Sequence, residues 1–135
     1  RISDLAVNIA ERALVVTPRV RVDMPFDLSD LAGRAQTMLA QSLDALINLN
    51  PELARKVWMS DDVIDEINRK TYENVKAGIA RHPELIDDLL SMLSVSRNLE
   101  RIADHAANIA KDVIYLVEGE IVRHRRKELA AKTGM

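Results

Sequence analysis

Two pairs of carboxylates stand out, each written one helical turn apart: Asp61 with Asp65, and Glu100 with Asp104. The second pair continues in the same step through Asn108 and Asp112. At about 100° per residue a four-residue step drifts by only about 40°, so consecutive members are neighbours on one helix face. Like charges so placed destabilise an isolated helix by a few tenths of a kcal/mol, so the pattern calls for compensation. Asp61 also lies in line with Val57 and Ile64, on the apolar stripe of its segment, where an unpaired carboxylate is costly. A hard cation shared between the two pairs would compensate both, because such ions take oxygen ligands. Arg69, Arg97 and Arg101 are equally available to make an ordinary solvated, ion-paired face. Spacing alone leaves both readings open.

Other chemistries have less to draw on. Cysteine is absent, which removes disulfides, thiolate nucleophiles and Cys-type metal sites. His105 has Ile102 three positions before it, so the Glu-x-x-His motif of di-iron bundles is missing; His105 remains a weak ligand candidate beside Asp104. No nucleophile–base–orienter set and no phosphate-cradling glycine loop can be found, and an enzyme is not expected. The formal charge of −2 offers no general field for nucleic acid. The one basic run, Arg123 to Lys127, has no interleaved aromatic side chains and reads as a solvated helix end. No apolar run approaches the roughly 18 residues needed to span a bilayer, so membrane insertion is not expected and a cytoplasmic location is.

The elements that must hold these residues are helices. The chain of 135 residues is 47% hydrophobic, with four Gly and four Pro, and no segment alternates with period two. Periodicity and Pro punctuation predict helices over about 1–15, 27–49, 51–81 and 83–118, with Asn50 capping the third at Pro51 and Gly119 ending the fourth as a left-handed cap. In the second the expected stripe is Leu28, Leu31, Ala35, Met38, Ser42, Leu46 and Leu49; in the fourth it runs from Leu85 through Leu89, Met92, Ser96, Leu99, Ala103, Ala106 and Ala110 to Val113 and Val117. Relative to this stripe Asp104 and Asn108 turn toward an outer or lateral surface. Trp58, the only tryptophan, is expected in the core or at an edge of the bundle. Tight Pro turns between long helices make the fold class all-α, an antiparallel three-helix bundle with an additional N-terminal helix.

One motif occurs twice. Arg1-Ile-Ser-Asp-Leu-Ala-Val-Asn-Ile-Ala10 and Arg101-Ile-Ala-Asp-His-Ala-Ala-Asn-Ile-Ala110 agree at seven of ten positions. Helical composition would repeat Ala and Ile by chance, but not Arg, Asp and Asn in register, so an ancestral duplication of a three-helix unit is inferred. The chain then divides into the remnant last helix of a first repeat (1–16), a linker (17–26), a complete second repeat (27–119) and a tail (120–135).

The stretch Asn98-Leu-Glu-Arg-Ile-Ala-Asp-His-Ala-Ala-Asn-Ile-Ala110, with Val113-Ile-Tyr-Leu-Val-Glu-Gly119 after it, resembles the signature of the PhoU family's C-terminal repeat. The first ten residues resemble that of its first repeat. The resemblance implies a negative regulator of phosphate uptake and the phosphate-starvation response, linking the ATPase subunit of the phosphate ABC transporter to a membrane sensor histidine kinase. It implies association with the membrane through those partners, and metal clusters (iron, zinc or magnesium) held by Glu/Asp-x-x-x-Asp motifs. Asp61, Asp65, Glu100 and Asp104 match those motifs and are the expected ligands, with Arg101 and Asn108 as supporting residues of the signature. Asp4 matches the first copy, but its acidic partners would precede Arg1, so it is expected to be only a remnant ligand. Self-association into a homo-oligomer, through faces that a full tandem would cover, is a further expectation.

Overall fold

The computed structural model describes residues 28–132. Three helices follow one another: α1 (Leu28–Asn48), α2 (Pro51–Arg81) and α3 (Ile86–Lys132), with one 3₁₀ turn (Pro83–Leu85) before α3. No strand occurs among the described residues. The expected opening helix, the linker and Asp4 lie outside them.

The junctions explain the up-down-up course. Asn50 stands at the N-cap of α2 in extended conformation, and its side chain accepts from Leu53 N–H at 3.2 Å. Pro51 follows at the first turn, where its missing N–H costs nothing. On the other side of the junction, Asn50 N–H donates to Ala45 C=O at 2.9 Å and Leu49 N–H to Leu46 C=O at 3.4 Å. That pair of bonds is a Schellman closure, which needs a left-handed residue. Leu49 fills that place with φ 49, a conformation that strains any residue with a Cβ. Leu49→Gly is therefore expected to stabilise the chain by about 1 kcal/mol, read as a higher urea midpoint with unchanged slope. At the second junction, His82 N–H closes on Gly78 C=O at 2.8 Å, and Pro83 prevents α2 from continuing.

Packing is centred on α3. Leu31, Ala35, Met38, Ser42 and Ala45 of α1 are buried, and all but Ser42 form one apolar cluster with Ala54, Val57 and Ile64 of α2 and with Leu99, Ala103, Ala106, Ala110 and Val113 of α3. Alanines on α3 let two neighbours approach closely, so burial is achieved with little side-chain volume. A smaller cluster of Val75, Leu89 and Met92 closes the end near the 3₁₀ turn. Three buried hydroxyls are satisfied: Ser96 donates to Asn68 Oδ1 at 2.7 Å, and Ser42 and Thr71 donate to carbonyls of their own helices.

Two sequence expectations are corrected. On α1 the buried spacing 31, 35, 38, 42 continues to Ala45; Leu46 and Leu49 stay 42% and 50% exposed. The alternation of four- and three-residue steps is kept, and the larger side chain one position on misses the stripe. The fourth helix does not stop at Gly119 but continues to Lys132. Gly119 has no left-handed φ and open space where a Cβ would stand. Its helix penalty of about 1 kcal/mol is offset by flanking helix formers and by pairs such as Arg123 with Glu120 at 2.7 Å.

Candidate metal centre on the α2/α3 seam

Because α2 and α3 run antiparallel, residue numbers rise on one and fall on the other along their shared edge. Asn68 meets Ser96 at 2.7 Å, and near the other end Arg55 meets Glu118 at 3.6 Å. Between these points the seam brings together Asp61, Asp65 and Asp104, with one carboxylate oxygen of each lying within 4.8 Å of the others. Three of the four expected ligands thus converge from two helices. The fourth, Glu100, lies one turn before Asp104 and near enough to feel the Asp104 and Asp65 charges; its carboxylate is outside the close trio.

The electrostatics record the crowding. Burial, then the Asp65 and Asp104 charges, then a proton shared with Asp104 push the Asp61 carboxyl up from 3.8 to about 6, while Lys111 pulls it down. Asp65 is raised by burial and by the Asp104 and Asp62 charges. Glu100 is raised by burial and by Asp104 and Asp65, against Arg97 and Arg101. Asp61 Oδ1 is buried and has no hydrogen-bond partner, which is costly for a carboxylate oxygen.

Of the three arginines that could have made this an ion-paired face, Arg97 and Arg101 act on Glu100, and none makes an ion pair with the trio among the described residues. Arg69 grips Glu66, at 2.6 Å and 3.1 Å, which holds the Glu66 carboxyl low. Arg101 reaches Asn98 Oδ1 at 3.5 Å. Asn108, one turn after Asp104, is exposed. His105 is not part of any group of three possible metal donors among the described residues. The donor set is wholly oxygen, it is convergent, and it contains one orphaned buried atom. Such a set fits a hard cation or zinc.

Two residues that spacing did not bring forward complete this edge. Lys111 holds its ammonium 5.4 Å from the centroid of the Trp58 ring, within cation–π range. Trp58 itself is 43% exposed, so of its two expected places it takes the edge. Trp58 stands three residues before Asp61 and Lys111 seven after Asp104, both helical offsets that return to the same face. That regularity was the available signal.

Comparison with known proteins agrees with this architecture. Residues 28–113 match the family model described as the PhoU domain. A Thermotoga maritima protein named phosphate-specific transport system accessory protein PhoU homolog 1 is 32% identical over 121 residues, covering 89% of this chain and 52% of its own length. A Synechocystis homologue of the same accessory protein is 36% identical over 120 residues, covering 89% of this chain and 53% of its own length. The crystal structure of PhoU from Pseudomonas aeruginosa superposes with a TM-score of 0.78 at 30% identity, covering 86% of this chain and 56% of that one. The chain spans about half the length of the curated relatives it matches.

Proposed function

The chain belongs to the PhoU family, and from that premise we propose that it is a metal-binding accessory regulator of phosphate transport, working by docking and not by bond cleavage. The observation that carries the reading is the α2/α3 seam, where Asp61, Asp65 and Asp104 converge around an unpartnered buried oxygen. In this reading these three residues hold the ion and Glu100 stands ready one turn away. The metal supplies positive charge that relieves the repulsion recorded at Asp61, tying α2 to α3 and fixing the face on which they meet.

The proposed partners are the ATPase subunit of a phosphate transporter and the cytoplasmic part of a sensor histidine kinase. The relatives' name, accessory protein of a phosphate-specific transport system, supports the first; the second follows the resemblance of the signature on α3. No described helix is long and apolar enough to cross a membrane, and contact with membrane components would run through these partners. Binding of the chain to each purified partner, with and without a chelator, tests the reading. Saturable binding to at least one is expected, weakened about tenfold by Asp104→Asn, the scale of loss seen when a metal site's support is disturbed. Absence of binding to both would remove the adaptor role. Equal binding by the wild type and Asp104→Asn would separate that role from the metal.

A further inference from the structure

A lysine shares the edge that carries the acidic trio. Lys111 lies on the same edge as Asp104, two turns further along α3, and its ammonium sits over the ring of Trp58 at 5.4 Å. Trp58 is one turn before Asp61 on α2, so the ring that carries the ammonium and the carboxylate with the orphaned oxygen share a helix face. Lys111 makes no ion pair within 4.0 Å among those found along the described chain. Its place on the Trp58 ring sets the ammonium about one turn along the seam from Asp61. Arg97 and Arg101 act at the other end of the cluster, on Glu100.

We propose that Lys111 is a resident counter-cation of the acidic seam, parked on the Trp58 ring, and that an entering metal ion must overcome its charge. Lys111 thereby sets the affinity of the site and keeps the seam together when the site is empty. This rests on the metal reading of Asp61, Asp65 and Asp104 given above. The physical logic is charge balance across a partly wetted surface. A tethered ammonium supplies part of the field a divalent ion would supply. It also repels that ion once the ion arrives. The aromatic ring localises the ammonium without neutralising it, unlike a carboxylate partner. Trp58 is the only tryptophan, so its fluorescence reports the Lys111 contact without labelling.

Zinc titration of the 135-residue chain by calorimetry, with Trp58 fluorescence followed in parallel, tests the proposal on the wild type, Lys111→Met and Lys111→Arg. Lys111→Met keeps the length and the apolar stem of the side chain, and circular dichroism checks that its helices are intact. It is expected to bind zinc roughly fivefold more tightly, the scale of one unit charge acting across several ångströms of high effective dielectric. Without metal its thermal midpoint falls by a few degrees, and its Trp58 emission no longer responds to zinc. Lys111→Arg, which keeps a cation able to stack on the ring, restores wild-type behaviour in all three readouts. Wild-type zinc affinity in Lys111→Met would overturn the proposal while leaving the metal site standing. If neither chain binds zinc, the metal reading fails, and an unchanged metal-free midpoint in Lys111→Met would then overturn the counter-cation as well.

Discussion

Asp61→Asn is expected to lower the affinity for a divalent ion by more than about 100-fold, beyond the loss typical of a ligand's supporting shell, and yet to stabilise the metal-free chain. The two effects have one cause. Asp61 is held among like charges with one buried oxygen unpartnered; with an ion present that oxygen is a ligand, and without one it is a liability. The amide keeps the shape, removes the charge and can donate to Asp104. Discounted for partial exposure, the gain at pH 7 is on the order of 1 kcal/mol. Its pH dependence has a definite sign. The folded-state value of about 6 lies above the ordinary 3.8, so the folded chain takes up the proton first. Wild-type stability from this group is fully present below about 3.8 and is lost as pH rises through about 6. The raised Asp65 and Glu100 act in the same direction. The advantage of Asp61→Asn should therefore be largest above pH 6 and vanish on acidification, as read from urea unfolding at a series of pH values in the presence of a chelator.

The largest loss of stability should come from the interior of α1. Leu31 is completely buried, and Leu31→Ala is expected to cost about 3 kcal/mol through lost transfer energy and the cavity left behind. Leu46→Ala, the same change fifteen residues on, should cost less than about 1 kcal/mol, because that side chain is still 42% exposed in the folded chain. Denaturant midpoints of the two variants compare the observed α1 stripe with one that follows the larger side chains. Equal losses would mean that Leu46 and not Ala45 faces α3.

These particulars show how far the sequence could be read. The bounds of α2 are set by local chemistry, a capping Asn50 with Pro51 at one end and His82-Pro83 at the other, and local chemistry is written in the chain. The α3 core stripe was legible for the same reason, since Leu89 to Val113 keep a helical period over many turns. Helix ends governed by small differences were not. Gly119 is a good cap and also a tolerable interior residue, and the flanking charges favour the second. Four-residue spacing identified the carboxylates of each helix face. Which turn of α2 meets which turn of α3 depends on the 3₁₀ turn at Pro83–Leu85 and on how closely Ala103, Ala106 and Ala110 allow the helices to approach. That register places Asp61 against Asp104, leaves Glu100 just outside the trio, and brings Lys111 onto Trp58. Helical offsets place Trp58 on the face of Asp61 and Lys111 on that of Asp104, but neither helix alone says that the two faces meet.

Elemental analysis of the purified chain, loaded in turn with iron, zinc and magnesium and then freed of excess ion by gel filtration, bears on the seam most directly. At least one of the three metals should be retained in stoichiometric amount by the wild type and lost in Asp61→Asn. No stoichiometric metal in the wild type under any loading, or equal retention in Asp61→Asn, would contradict a metal centre built on Asp61, Asp65 and Asp104.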